Sequence, residues 1–311
     1  FPRIILAEVN THRMLSKNTS SSRAIPFNKM VEAVHNNPFI PIAWQKEHKG
    51  MQGSEYFTDE KEILSNKRMW LHARDYAIQS AEAANRNFGI TKQLCNRLLE
   101  PFMWTTMLIT GSKEGWDNFF KLRCPVYYYA GNNKSYKSKK ELLPILLNDF
   151  GEVPVDSFWY NINKGQAEIH MMALAEEIYD AMNESTPKQL KAGEWHIPFE
   201  DKIHKVDTSV FSNEDVVSPI FDLIRVKIST AMAAHTSYTI VGGEVVKSPE
   251  KWIELHDKLV AYDPPHSSPL EHVAQVPNQY EYDMALKEEE KGWFYNLKGF
   301  KSYRYIIEHQ K

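Results

Sequence analysis

Residues 11–23, THRMLSKNTSSSR, follow the apolar run FPRIILAEV and constrain this chain more than any other segment. They carry two guanidiniums, one imidazole, one ammonium and six hydroxyls in thirteen positions, with little apolar surface. A plain surface loop draws on Gly, Pro and Asp for its turns, and this stretch has none of the three. Arg presents a planar fork that matches phosphate oxygens, and Ser hydroxyls complete the shell. The segment therefore reads as a surface for an anionic ligand. The plainer reading, a Ser-rich loop capping the helix expected at 27–35, stands beside it.

The rest of the chain sets the scaffold. Its 311 residues suit one large or two ordinary domains, and 42% hydrophobic with 25% charged residues is a globular composition. The formal net charge of −3 excludes a general nucleic-acid-coating protein but leaves room for a local basic pocket. Cys95 and Cys124 make neither a disulfide framework nor a zinc site, so a reducing cytosol, and a cytoplasmic location, is the expectation. No apolar run has transmembrane length and no signal peptide is evident, so no membrane partner is expected. The chain opens at Phe1 inside an expected strand, so a short N-terminal piece is expected to precede it.

Residues 1–10 read as a buried strand with β-branched Ile4, Ile5 and Val9. Residues 27–35 read as a helix, and 36–60 as a long loop. Residues 60–87 have helical composition with apolar spacings of three and four. A helix over 91–100 is stopped by Pro101. FMWTTMLIT is a strand or a buried helix, Gly111-Ser112 punctuates it, and EGWDNFFKLR is a helix. Residues 124–164 mix turn residues, lysines and aromatics and read as an inserted subdomain or lid. A helix covers 166–183, and 184–215 is linker-like with two strands. Residues 221–238 are a helix or a strand, Gly242-Gly243 marks a turn, and 249–262 is a helix. The remainder, with Pro264-Pro265, Pro269 and Pro277, reads as loop and strand.

Four further features could carry chemistry. Arg97 and Arg123 end separate helical segments, where each binds an anion, snorkels over apolar neighbours or pairs with Glu. His266-Ser267-Ser268-Pro269-Leu270-Glu271-His272 gathers two imidazoles and a carboxylate, but not at metalloprotease spacing; a helix start with Pro in its first turn is the plainer reading, and no metal is expected. Cys124 beside Arg123 is a thiolate nucleophile or a small packed residue. No Gly-rich phosphate loop occurs, which argues against a Rossmann or P-loop site.

Several segments together resemble the flavin-dependent thymidylate synthases. Thr11-His12-Arg13, Ser21 and Arg23 are similar to the family signature, an Arg-His-Arg followed by a Ser and then an Arg. Arg97 before Pro101 resembles a nucleotide-phosphate arginine. Asn118-Phe119-Phe120-Lys121-Leu122-Arg123 resembles Asn-Phe-Leu-x-Leu-Arg, and Gln166-Ala167-Glu168-Ile169 resembles Gln-x-Glu-Ile. Ala234-His235-Thr236-Ser237-Tyr238 and 266–272 resemble two segments that precede the signature in the usual family order. Here they follow it, so the chain resembles a circular permutation of the kind found in phage-encoded relatives. Permutation is tolerated where termini lie close together at the surface.

The resemblance implies an α+β fold, a twisted, mostly antiparallel sheet flanked by helices, as one domain over 1–311 with 124–164 inserted, assembled as a homotetramer with active sites between subunits. It implies one-carbon transfer from methylenetetrahydrofolate to C5 of dUMP giving dTMP, with NADPH reducing FAD. The cofactor supplies the difficult chemistry, and the protein orients and polarises. Arg23 and Arg123 would polarise the pyrimidine. Together with Glu8, Ser20, Ser21, Ser22 and Arg97 they would bind it. His12, Arg13, Asn118, Ser237, His266, Ser268 and Glu271 would line FAD.

The chain departs from the family pattern at four positions. Thr11 replaces the first signature Arg, Glu8 stands where many members have Gln, and Ser112 and Glu114 replace an Asn and an Arg that touch FAD. Carboxylate for amide at Glu8 favours an exocyclic amine, so methylation or hydroxymethylation of another pyrimidine nucleotide such as dCMP is the alternative. A catalytically inactive nucleotide-binding relative is the third reading, motivated by Thr11. The run Tyr127-Tyr128-Tyr129 is a folate-stacking surface or a packed aromatic cluster.

Overall fold

The fold is that of a computed structural model, which describes residues 1–49, 55–203, 218–238, 248–262, 266–285 and 287–309. The turn at Gly242-Gly243, the Pro264-Pro265 pair and much of the expected strand region before 215 lie outside these residues. The chain is α+β with small antiparallel sheets. A single twisted sheet is expected from the resemblance; the described residues instead carry four separate ladders of two, two, three and two strands. Their strands run only two to five residues, too short to register as alternating patterns in the sequence. Among the described residues no helix is long and apolar enough to cross a membrane.

The sequence reading treats 1–311 as one domain; by contacts the chain divides into two compact units. The first contains residues 1–11, 26–104 and 117–187, and the second 12–25, 105–116 and 188–311.

In the first unit the expected N-terminal strand is helical. A 3-10 turn over Arg3–Ile5 runs into the helix Leu6–Asn10. Ile5 and Val9 are buried while Ile4 is exposed, and that i, i+4 spacing is the helical period rather than the strand alternation. The helix Glu60–Phe88 starts at Asp59, whose carboxylate accepts from the Lys61 and Glu62 amides at 3.0 Å each, and stops at Gly89 with φ of 64°. The helix expected to end at Pro101 already ends at Cys95, and a 3-10 stretch, Asn96–Phe102, carries the proline inside it.

The core beneath these helices is aromatic. Phe39 is fully buried and meets the rings of Trp70, Trp104 and His170 edge-on at 6.1, 5.6 and 5.1 Å. The Trp70 indole N–H donates to the Phe39 carbonyl at 2.8 Å, so the same residue is held through ring and backbone.

Residues 124–164 form a hairpin, Tyr127–Tyr129 against Lys134–Tyr136, followed by the helices Lys139–Phe150 and Asp156–Ile162. They share a core of Tyr127, Tyr129, Leu142, Leu146 and Trp159. Two of the three consecutive tyrosines are therefore packed, and Tyr128 is exposed. Glu176 on the helix Ile169–Glu184 ties this core down: it accepts from the Tyr127 hydroxyl at 3.1 Å and from the Lys139 amide at 2.6 Å. Burial holds the Glu176 carboxyl above the ordinary carboxylate range.

In the second unit the strand Leu15–Thr19 pairs antiparallel with Met107–Gly111, so only the second half of FMWTTMLIT is strand; Phe102 closes the preceding 3-10 stretch. A Cβ at Gly111 would fall 2.4 Å from the end of the Leu15 side chain, which would have to move. The 221–238 segment is helical, within the helix Ser218–His235 and a 3-10 turn after it. This helix and Pro249–Ala261 enclose a core of Val226, Ile228, Ala231, Trp252, Leu270, Val273 and Tyr303. The C-terminal region expected as loop and strand also contains the short helices Ser267–Leu270, Gln279–Asp283 and Tyr303–His309.

Glu176 gives a test of the anchor. A carboxyl held above its unfolded value contributes most below about pH 4.5, and the contribution is lost as pH rises through the folded value. Glu176→Gln removes the ionisation and keeps an acceptor for the Lys139 amide. Thermal unfolding is expected to show the variant as stable as the parent or more so at pH 8, with the parent gaining on it toward pH 4. An equal loss at both pH values would contradict this.

Candidate functional site

All but Thr11 of the thirteen-residue polar segment lies in the second unit, and it is not simply a solvated donor surface. His12, Leu15, Ser16, Asn18, Ser20 and Ser22 are all buried. Much of its polarity is consumed in ordering the unit. The Asn18 side-chain amide donates to the Ala233 carbonyl, and its oxygen accepts from the Ser237 hydroxyl at 3.1 Å. The Ser21 amide donates to the Ser237 carbonyl at 2.9 Å. The Ser268 hydroxyl donates to the Lys17 carbonyl at 3.0 Å. His272, on the same 266–272 stretch, bonds through Nδ1 to the Thr110 hydroxyl at 3.0 Å, on the strand paired with Leu15–Thr19. Three segments far apart in sequence thus meet on one short ladder.

The individual side chains divide by exposure. Arg13, Arg23 and His266 are exposed, and Ser21, Ser237, Ser268 and Glu271 are half-buried. The Ser20 hydroxyl shares a 2.9 Å hydrogen bond with Thr105 and accepts from the Thr106 amide at 3.2 Å, so it serves the fold. Glu271 pairs with Arg304 at 2.8 Å. The Lys17 ammonium is bonded to the His12 and Leu15 carbonyls, and burial pushes it below the ordinary lysine range against the pull of Glu271. Glu114 lies 3.2 Å from the Lys298 ammonium, which brings a cation back beside that carboxylate.

The remaining predicted residues lie in the first unit. Arg97 and Asn118 are exposed; Arg123 and Glu8 are half-buried. Burial, and then the Glu168 carboxylate, hold the Glu8 carboxyl above its ordinary range, while Arg123 and His170 oppose them. Glu8, Arg123, Glu168 and His170 therefore form one electrostatic group. Thr11 is exposed, and its hydroxyl donates to the Glu8 carbonyl at 2.7 Å.

Two features of this unit have no counterpart in the sequence reading. The buried His170 imidazole is bonded through Nδ1 to Glu168 at 2.5 Å, and its Nε2 lies 3.1 Å from the Ile42 amide nitrogen. A cleft of about 620 Å³ is lined by Gln45, Tyr56, Tyr160, Lys164, Glu168 and their neighbours. The signal for the first was a carboxylate one residue before an apolar helical run; the second is assembled from loops without periodicity.

The nucleophile reading of Cys124 is disfavoured: its buried thiol donates to the Ala175 carbonyl at 3.6 Å and is pushed up to about 12 mainly by burial. His266 and His272 do not act together, since one is exposed and the other fully buried. Among the described residues no group of three or more His, Cys, Asp or Glu is placed to hold a metal ion.

No family model, curated protein or solved structure matches the chain.

Asn18 provides the test of this arrangement. In Asn18→Asp an ionised carboxylate faces the Ala233 carbonyl where an amide donated, at an expected cost of about 2–4 kcal/mol near pH 7. Burial raises the folded pKa of the new carboxyl, so its stabilising protonated form is lost as pH rises through that value. Urea unfolding of parent and variant at pH 7.5 and pH 4.5 should show the gap narrowing in acid. A gap of under ~0.5 kcal/mol at pH 7.5 would mean that Asn18 does not hold these segments together.

Proposed function

We propose that the chain is a flavin-dependent enzyme that transfers a one-carbon unit from methylenetetrahydrofolate to C5 of dUMP, giving dTMP, with NADPH reducing FAD. The reading takes the fold as a circularly permuted relative of the flavin-dependent thymidylate synthases, acting as a homotetramer in the cytoplasm. One observation supports it above the rest. The segments 234–238 and 266–272, which follow the signature only in a permuted order, hydrogen-bond through Ser237, Ser268 and His272 to the signature strand Leu15–Thr19 and its partner.

The donor set fits the ligands this reading requires. Exposed Arg13, Arg23 and His266 suit an anionic phosphate, and the half-buried Ser237 and Ser268 hydroxyls keep acceptor lone pairs after their internal bonds. FAD, when bound, supplies the redox chemistry. Arg97, in the first unit with Arg123, is assigned to the nucleotide phosphate. Arg123, in the group with Glu8, Glu168 and His170, stabilises the negative charge that builds on the pyrimidine oxygens as C5 becomes nucleophilic.

A second reading, transfer to another pyrimidine nucleotide such as dCMP, is favoured by Glu8, whose carboxyl presents an acceptor to an exocyclic amine. The mass of the product formed from dUMP and from dCMP separates the two, and turnover of either removes the inactive nucleotide-binding relative. Arg123→Ala is expected to weaken dUMP binding about 100-fold by calorimetry, the loss of a charge-assisted, two-bond contact, with circular dichroism and melting temperature preserved. Unchanged affinity would remove Arg123 from the site.

A further inference from the structure

The cleft of about 620 Å³ in the first unit is of the size that holds a small organic ligand. Gln45 and Tyr56 face each other across an antiparallel bridge on one part of its wall. Tyr160 and Asn161, near the end of the helix Asp156–Ile162, form another part, and 164–168 leads from there into the helix Ile169–Glu184. The Tyr56 and Tyr160 rings lie 4.8 Å apart at 31°, an aromatic surface for a flat ring. Burial, and then the Glu168 carboxylate, hold the Tyr56 phenol above its ordinary range, so its hydroxyl is a neutral donor.

Glu168 is the fixed point of the lining. One oxygen accepts from His170 Nδ1 at 2.5 Å, and the other from the His170 and Met171 amides at 2.8 and 3.0 Å. A carboxylate offers about four acceptor directions, so one remains. The side chain keeps 37% of its exposure. A carboxylate locked by three donors and open on one side is a preorganised acceptor. The charged groups of the lining are two carboxylates and the Lys164 ammonium, a balance that suits an uncharged, N–H-bearing head group rather than a buried phosphate.

We propose that this cleft binds a flat N-heterocycle bearing an exocyclic amine. The amine donates to the open lone pair of Glu168, the ring lies on the Tyr56–Tyr160 surface, and the Gln45 and Asn161 amides meet the ring nitrogens and carbonyl. Lys164 pairs with an anionic tail. Two sources share this chemistry, a pterin ring and an aminopyrimidine nucleoside. These are the head group of the carbon donor and the alternative acceptor proposed above, so the inference rests on that reading for its ligand class, while its test is made without flavin.

The test uses fluorescence titration of the full-length protein, without flavin, with pterin-6-carboxylate and its deaminated analogue lumazine-6-carboxylate, and calorimetry with cytidine and uridine. The amino ring is expected to bind at least ~10-fold more tightly than its deaminated partner, the scale of one hydrogen bond to a charged acceptor. Tyr160→Ala is expected to weaken it at least ~10-fold, and Lys164→Glu to weaken pterin-6-carboxylate but not pterin itself. Both changes leave the Glu168 bonds intact, so they test the cleft even where Glu168→Gln fails to fold. A preference for pterin assigns a pterin source, and a preference for cytidine assigns a nucleoside. Equal affinity for amino and deaminated rings, binding untouched by Tyr160→Ala, or no binding of either pair overturns the proposal. None of these outcomes bears on flavin binding, which is read separately at visible wavelengths.

Discussion

Asn18 sits on a five-residue strand with its side chain buried, and a buried amide has to find protein partners. It finds them on the turn that closes the helix Ser218–His235: the Ala233 carbonyl, which a helix end leaves unpaired, and the Ser237 hydroxyl. One side chain thereby satisfies a helix terminus and fixes the entry of the chain into the 236–238 turn. The Ser21 amide adds a third bond there, to the Ser237 carbonyl, and Ser268 adds a further segment through the Lys17 carbonyl. The exposed guanidiniums of Arg13 and Arg23 flank this buried frame in sequence. Their value for an anionic ligand depends on a backbone that does not move, and the buried hydrogen bonds supply that rigidity.

The first unit uses the same device with a charge. Glu168 caps the helix Ile169–Glu184 through two amides and bonds the His170 ring, and His170 in turn takes the Ile42 amide and packs edge-on against Phe39. Helix start, loop and aromatic core are thus coupled through one carboxylate. The carboxyl of Glu8 is raised partly by that same charge. Substitution of Glu168 therefore bears on local stability and on the electrostatics around Arg123 together, and its effects on binding are separable only by changes elsewhere in the cleft.

Long helices were legible because their signals are local. The helix Glu60–Phe88 follows from its composition, its Asp59 cap and the glycine that ends it. The N-terminal helix was not, because Ile4, Ile5 and Val9 favour a strand by propensity and only the burial of Ile5 and Val9 decides for the helix. The second half of FMWTTMLIT became strand through a tertiary partner, Leu15–Thr19, that no local period announces. The polar character of 11–23 was plain, but neither of its two readings, a ligand surface or a Ser-rich loop capping the 27–35 helix, places it in the interior. Six of the thirteen positions face inward, because strand pairing and helix capping claimed them first. The residues assigned to a site in the second unit come from motif segments. Glu168 was quoted within such a segment without a role, and its bonds to His170 needed the fold.

The central claim is that the ordered ladder around Asn18 presents its arginines and serines to a flavin. The visible absorption spectrum of the purified protein tests it most directly, taken before and after addition of FAD and then of NADPH and dUMP. A bound-flavin spectrum that bleaches with NADPH is the result this account predicts. Absence of flavin binding under all these conditions would contradict it and leave a nucleotide-binding protein without redox chemistry.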